Sequence, residues 1–161
     1  MRLSRWSRAF LCAGAFAAST GCHSSSPTTP TSVVRAVLVL SVTPNPVTAT
    51  ITNVVGPVYT TQWTTKIQET AGLGGFVQQV KASIYDNATG ILVSTTVFDD
   101  KDLIVFVGTN RIDPNGSIEV PQQVSYQLSV NQSEATLTVD VTFKDDKGFT
   151  QEPSFLAKII P

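Results

Sequence analysis

Histidine and cysteine are nearly absent from this 161-residue sequence, which contains one histidine and two cysteines. The histidine is His23, and the cysteines are Cys12 and Cys22. Residues 24–161 therefore cannot form a Ser-His-Asp or Cys-His catalytic site, a disulfide, or a metal site with histidine or thiolate ligands. This absence excludes many of the common hydrolase and redox chemistries from the bulk of the chain.

Charge is also scarce, at 14 % of residues, and its signs nearly balance, with 11 Lys+Arg against 12 Asp+Glu. No basic stripe of the kind that binds phosphate backbones is present, so nucleic acid is not an expected partner. The chain is 42 % hydrophobic, which is too apolar for a disordered protein, and its length suits one domain. Val and Thr together supply 41 residues, an excess that favours strands.

The first eighteen residues have the pattern of an export signal. Arg2, Arg5 and Arg8 form a positive segment, and a ten-residue run of apolar and small residues follows at 9–18. A membrane-spanning helix needs roughly 20 apolar residues. Because this run is half that length and leads into small polar residues, it predicts a signal peptide rather than a permanent transmembrane anchor.

The four residues Ser19-Thr20-Gly21-Cys22 come directly after that run. They resemble the lipobox of bacterial envelope lipoproteins, in which a small residue precedes the cysteine that receives lipid, although Ser19 stands where that family most often has leucine. The resemblance implies cleavage before Cys22, lipidation of Cys22, and attachment to a membrane through the lipid. The alternative is an ordinary signal peptide cut near Ala17, which leaves Cys22 as a free thiol.

Nine consecutive Ser, Thr and Pro residues occupy positions 24–32. Such a segment cannot bury apolar surface and predicts a tether, or alternatively an O-glycosylated stalk. The sequence thus divides into a signal peptide at 1–21, a lipidated cysteine with its tether at 22–32, and a folded domain at 33–161. Because His23 rather than an aspartate follows the cysteine, the resemblance implies the outer membrane if the host is Gram-negative.

Hydrophobic and polar residues alternate along much of the folded domain, which is the pattern of half-buried strands. The clearest examples are residues 59–69, 76–86 and 135–144. Turn-forming residues separate these segments, and positions 87–90 have the composition of a hairpin turn. The inward-facing positions predict a core made of Trp63, Ile67, Val80, Ile84, Leu137, Val139, Val141 and Phe143.

Two segments lack clean alternation. Residues 99–102 predict a charged turn, and the apolar residues 103–107 that follow predict a short buried strand. Further along, Pro121 separates two predicted strands at 118–120 and 124–130.

Three single residues also carry predictions. Pro153 is expected to place part of the last strand at a sheet edge or a bulge, because proline cannot donate to a strand ladder. Val77 and Tyr85 fall on the polar face of their strand, and we expect a second sheet or loop to cover them; the alternative is a small contact patch.

About nine short strands with a turn every 8–12 residues predict an all-β fold, either an antiparallel sandwich or a barrel. The phrase at 41–47, Ser-Val-Thr-Pro-Asn-Pro-Val, and the late turn with Asp145, Asp146 and Gly148 resemble those of immunoglobulin-like domains in bacterial envelope lipoproteins. The resemblance implies an antiparallel immunoglobulin-like β-sandwich of about 7–9 strands. The Cys…Trp…Cys core of antibody domains is absent, and Trp63 is the candidate core tryptophan.

Clustered aspartates are the remaining candidates for chemistry. Paired carboxylates serve glycoside hydrolysis, and Ca²⁺ takes six to eight oxygen ligands, but no cluster here matches an EF-hand loop. All of these aspartates lie in predicted turns, where solvated acids are the ordinary finding. We therefore expect no catalytic site, no metal site and no cofactor. The candidates are Asp99, Asp100, Asp102, Asp145 and Asp146.

The sequence thus predicts a lipid-anchored, non-catalytic cell-envelope protein whose immunoglobulin-like domain binds a protein or glycan, or organises the cell surface. The alternative from another class is an exported inhibitor or chaperone-like protein that acts through a loop or an edge strand. A hydrolase is the third and weakest hypothesis, since it depends on the turn aspartates alone.

Overall fold

The computed structural model describes residues 34–53, 57–129 and 132–161, and the predicted signal peptide, Cys22 and tether lie outside these ranges. Val33–Pro161 forms one compact unit. In chain order the elements are β1 (Leu38–Thr43), β2 (Val47–Asn53), β3 (Val58–Glu69), β4 (Gly75–Asp86), β5 (Leu92–Asp99), α1 (Asp100–Val107), β6 (Arg111–Ile112), β7 (Ser117–Gln127), β8 (Ala135–Asp145), β9 (Thr150–Gln151) and β10 (Ser154–Ile160).

The strands form one curled, mixed sheet in the order β1-β3-β2-β10-β8-β4-β5, while β7 pairs with β3, β6 with β4, and β9 with β8. The all-β prediction is confirmed. The prediction of a strictly antiparallel arrangement is wrong, because β2 and β10 run parallel, with Val47 opposite Ile159. Every other strand pair in the described ranges is antiparallel.

One hydrophobic core unites the inward-facing residues of these strands. Period-two alternation is plain in β3 and β8, where buried residues recur at every second position. All eight residues of the predicted core are at most 3 % exposed. The indole N–H of Trp63 donates to the side-chain oxygen of Gln122 at 2.8 Å, so the large aromatic is buried with its polar atom satisfied.

Val77 is buried, as expected, but it belongs to the hydrophobic core, which corrects its assignment to the polar face of the strand. The reason is a β-bulge in β4: Val77 lies opposite Phe143 and Gln79 opposite Thr142, so Gln78 is an extra residue. A bulge shifts the alternation by one position, and Val77 thereby joins the core. Tyr85, beyond the bulge, is half-buried.

Residues 100–107 form a helix, so the predicted turn at 99–102 and strand at 103–107 are wrong. Asp99 is the N-cap, and its carboxylate accepts hydrogen bonds from the backbone N–H groups of Lys101 and Asp102. The Asp102 side chain accepts from the Asp99 N–H in return, which completes a capping box. Gly108 ends the helix with φ 87°, a conformation that favours glycine. In the part of the chain that the structure describes, no helix is long and apolar enough to cross a membrane.

Two prolines were expected to interrupt strands, and the structure corrects the expectation for Pro121. Pro121 does not divide two strands, because β7 runs through it and Pro121 pairs with Thr64. Proline is tolerated there since β7 is an outer strand, paired with β3 alone in the described ranges. Pro153 lies in the break between β9 and β10. Among the described strands β9 pairs with β8 alone, and β10 pairs with β2 only at Ile159 and Ile160, so part of this last stretch lies at a sheet edge, as expected.

Candidate interaction surface

The aspartates at 99–102 organise the start of α1. The carboxylate of Asp99 accepts from the N–H groups of Lys101 and Asp102 at 2.9 Å each. Asp100 and Asp102 lie in the first helical turn, where negative charge is favourable because of the helix dipole. Helix initiation therefore accounts for these three carboxylates.

Asp145 and Asp146 have separate partners. Asp145 is only 3 % exposed, contrary to the expected solvated acid, and accepts from the N–H groups of Lys147 and Phe149 at 2.9 Å each. Asp146 forms a two-pronged ion pair with Arg111 at 3.0 and 3.1 Å, which lowers the pKa of Asp146. Neither aspartate points to catalysis, since both are engaged in holding turns.

Two further buried carboxylates bind backbone N–H groups and have no basic partner in the ion pairs that the structure describes. Glu69 is 0 % exposed and accepts from Val37, Ala71, Gly72 and Asn115 at 2.7 to 3.2 Å. Burial raises its pKa, but these four donors outweigh burial and the net pKa is lowered.

Asp86, at the end of β4, is 1 % exposed. It accepts from the N–H groups of Ala88, Thr89 and Ser129. Hydrogen bonds from the Ser129 side chain and backbone lower the pKa of Asp86 to about 2, with smaller contributions from Ala88 and Thr89. Asp86 therefore stays ionised while it organises the turn that leads into β5.

A cavity of about 720 Å³ lies beside the start of α1, lined among others by Phe76, Gln78, Asn110 and Lys144. Asp146 also lines this cavity. The guanidinium of Arg111, its ion-pair partner, lies 4.9 Å from the centre of the Phe76 ring. Within the described ranges no group of three or more His, Cys, Asp or Glu residues could hold a metal ion. Among the described residues, the two buried side-chain polar atoms without a hydrogen-bond partner are Gln122 Nε2 and Tyr126 Oη, both on β7 and neither on a residue that lines this cavity.

The most unusual surface is formed by residues 91–107, which comprise β5, the residue before it and α1; we call it the β5–α1 surface. Six of the twelve large hydrophobic side chains that are exposed in the described residues belong to it. Exposed apolar side chains scattered singly are normal, but a concentrated group indicates a contact surface. The six are Ile91 at 62 %, Leu92 at 48 %, Val97 at 45 %, Ile104 at 52 %, Val105 at 75 % and Phe106 at 64 % exposed.

Strand β5 contributes an open sheet edge to this surface. None of its eight residues is fully buried, and among the described strands it pairs with β4 alone. Its residues 92–98, Leu-Val-Ser-Thr-Thr-Val-Phe, contain no charge, proline or glycine. Natural edge strands usually carry such residues to prevent association with other strands.

Helix α1 contributes the exposed aliphatic and aromatic side chains. Leu103 is its one fully buried residue, and the ring of Phe106 packs edge to face on Phe98 with the ring centres 5.7 Å apart. Sequence reasoning missed this surface because it took 103–107 as a buried strand. The signal that could have found it is Asp99 as a cap, with Gly108 as the helix stop.

Comparison with known proteins gives a fold and no function. No protein-family model matches the sequence, and no curated protein matches it. The chain is similar to the crystal structure of a Bordetella pertussis protein assigned as ApaA, with a TM-score of 0.56 and 16 % identity over 78 % of this chain and 95 % of that one.

A second solved structure, the structural genomics target SoR45, has a TM-score of 0.54 and 13 % identity, covering 74 % of this chain and 84 % of that one. A CARDB domain from Pyrococcus furiosus, solved with di-metal ions, covers 78 % of this chain and 89 % of that one at 12 % identity, but its TM-score is 0.37. Because identity is low throughout, the first two similarities show a shared fold, and the third carries no argument.

Proposed function

We propose that this protein is a lipid-anchored, non-catalytic component of the bacterial cell envelope whose folded domain makes a protein contact through the β5–α1 surface. The observation that carries the contact is the concentration of exposed apolar side chains at residues 91–107. The anchor is supported by the sequence alone, through the resemblance of residues 19–22 to a lipobox. Envelope attachment and surface display are compatible, since residues 24–32 would hold the domain clear of the membrane.

We also propose that the domain is an immunoglobulin-like β-sandwich. In its support, β3 pairs with β1 and β7 in one group of strands, and β8 pairs with β10 and β4, and β4 with β5, in another. Strand β2 pairs with both groups, antiparallel to β3 and parallel to β10. Trp63 is buried in β3, although no disulfide packs against it because residues 23–161 lack cysteine.

The anchor is tested by the intact mass of the mature protein extracted in detergent. A mass equal to that of residues 22–161 plus two or more acyl chains supports the proposal, because a single acyl chain gives only marginal membrane binding. A mature N-terminus near Ala18 with an unmodified Cys22 would make this a plain secreted protein and end the anchor proposal.

The contact is tested by placing a photo-reactive amino acid at Val105, which is 75 % exposed, in cells that express the full chain. We expect a cross-linked product with a protein, whether of the same or another kind. The matched control is the same group at Thr89, an exposed residue in the turn before β5. Equal products at both positions, or no product at Val105, would remove the β5–α1 surface from the proposal.

An exported inhibitor or chaperone-like protein is a second candidate, favoured by the open edge of β5. Such a protein would accept an extended segment of its target as an added strand. The cross-linking experiment distinguishes this candidate. An inhibitor would cross-link to one protease through position 105, and a chaperone-like protein to one unfolded client, and neither would need lipid at Cys22.

A further inference from the structure

An exposed aromatic ring lies between two cationic side chains at the start of β4. Phe76 is opposite Lys144 of β8 on one side and opposite Arg111 of β6 on the other, and cross-strand partners share one face of a sheet. Phe76 is 44 % exposed even with the Arg111 guanidinium packed on it. Much of the ring is therefore open to the cavity of about 720 Å³ that it lines.

The β-bulge in β4 places an amide side chain beside this ring. Gln78, the extra residue, is exposed and lines the same cavity. Gln79 is also exposed, although it is the next residue, but it is not one of the lining residues. Bulges are common next to binding sites, where they redirect a side chain.

Asn110 is a second amide in the cavity wall, and two hydrogen bonds hold it against the bulge. Its backbone oxygen accepts from the Val77 N–H at 2.8 Å, and its Nδ2 donates to Val77 O at 3.4 Å. Within the described residues no hydrogen bond reaches Asn110 Oδ1. The amide is thus fixed through its nitrogen, and its oxygen is available as an acceptor for a ligand.

The turn after β8 forms another wall and is held in place from two sides. The Asp146 N–H donates to Gly74 O at 3.0 Å, and the Asp146 carboxylate is bound by Arg111. Within the turn, the Gly148 N–H donates to Asp145 O at 2.8 Å. The cavity is therefore formed before a ligand arrives, as is usual for small-molecule sites.

The charges around the cavity nearly cancel. Three carboxylates line it, on Asp100, Asp145 and Asp146, against the ammonium of Lys144 and the neighbouring guanidinium of Arg111. Neither Lys144 nor Asp100 takes part in an ion pair that the structure describes. An anion would meet the carboxylates and a cation would meet Lys144 and Arg111, so this balance favours a neutral ligand.

We infer that this cavity binds a neutral saccharide, an activity separate from the proposed protein contact at the β5–α1 surface. The apolar C–H face of a sugar ring packs on an exposed aromatic ring such as Phe76. Sugar hydroxyls both donate and accept hydrogen bonds. Gln78 and Lys144 supply donors, and Asn110 and Asp100 supply acceptors. The volume lies within the roughly 300–1,000 Å³ of small-molecule sites, which gives room for a short oligosaccharide.

The test is isothermal titration calorimetry on the full chain, purified in lauryldimethylamine oxide because that detergent contains no sugar. Cellotriose, maltotriose and chitotriose are the neutral probes, and trigalacturonic acid is the acidic comparison. We expect saturable binding of at least one neutral probe. Trigalacturonic acid should bind at least about tenfold more weakly, because its carboxylates would lie close to those of Asp100 and Asp146.

Two variants and two matched controls locate the binding. Phe76→Ala should weaken it at least about tenfold, and Gln78→Ala at least about threefold, the size of one neutral hydrogen bond. Gln79→Ala and Leu156→Ala, which remove exposed side chains outside the cavity, should leave the affinity unchanged. Gln78→Ala breaks no side-chain hydrogen bond within the described residues, so it serves even if Phe76→Ala disturbs the fold.

Three outcomes would each overturn the inference: no saturable binding of any neutral probe, tighter binding of trigalacturonic acid than of the neutral probes, or equal losses in Gln78→Ala and Gln79→Ala. Cross-linking at Val105 reports on the other surface. The saccharide site and the protein contact can therefore fail separately.

Discussion

Strands β5 and β8 lie on opposite sides of the same neighbour, β4, and both are rich in Val and Thr with one Phe each. Strand β8 pairs along both edges and buries every second residue from Ala135 to Asp145. Strand β5 pairs along one edge in the described residues and fully buries none. Strands of similar composition therefore occupy two settings: β8 is an internal strand that supplies the core, and β5 is an outer strand with exposed side chains.

The largest effect should come from Phe143 in β8. Phe143→Ala removes a side chain that is 0 % exposed and leaves a cavity, so we expect the free energy of unfolding to fall by about 3–5 kcal/mol. Urea unfolding of residues 23–161, followed by circular dichroism, measures the change. A loss under about 1 kcal/mol, the size of an ordinary surface change, would break the contrast between the two strands.

Glu69 should give the next largest effect, because its carboxylate connects the start of β1 to two turns. Glu69→Gln keeps the size of the side chain but replaces one acceptor oxygen with a donor. Hydrogen bonds to charged groups contribute roughly 1.5–3 kcal/mol each, so we expect a loss of about 3 kcal/mol in the same unfolding measurement. Glu119→Gln, at an exposed position of β7, is the matched control and should be nearly neutral.

Acid should loosen the turn that leads into β5. The pKa of Asp86 is about 2 in the folded protein against 3.8 for a free aspartate, so protonation favours the unfolded state. The stability that Asp86 contributes is present above about pH 4 and is lost as the pH falls towards 2. Asp86→Asn should flatten this part of the stability profile, measured by urea unfolding at stepped pH, and an unchanged slope in this variant would contradict the prediction.

The smallest effect on stability should come from Phe106, which is 64 % exposed. Phe106→Ala removes the contact with Phe98 but creates no buried cavity, so we expect a change under about 1 kcal/mol in the free energy of unfolding. The same variant should reduce the cross-linked product that the photo-reactive group at Val105 gives. If Phe106→Ala costs as much as Phe143→Ala, α1 belongs to the core and is no contact surface.

Alternation along the chain was enough to identify the strands that cross the core. In β3 and β8, residues that alternate between apolar and polar in the sequence also alternate between buried and less buried positions in the structure. This match arises because one side of each strand faces the apolar core. The turn at 87–90 was also readable, since its residues fix the backbone locally: the Asp86 N–H donates to Ile91 O and the Gly90 N–H to Asp86 O.

What was missed depends on interactions that alternation does not report. One extra residue in β4 reverses which side of the sheet Val77 faces, and a bulge of this kind is set by the partner strand. The β-branched composition of 103–107 favours a strand, yet the cap at Asp99 and the stop at Gly108 make it a helix.

The hydrogen bonds at the start of the folded domain have a mechanical consequence. Ala36 N–H donates to Asp145 at 3.4 Å, Val37 N–H donates to Glu69 at 3.2 Å, and the Gln151 side chain donates to Ala36 O at 2.6 Å. Six residue pairs between β1 and β3 follow directly. A pull on Val34 along β1 therefore loads these bonds and strand pairs together in shear, so a domain tethered through its N-terminus resists force without unravelling from that end.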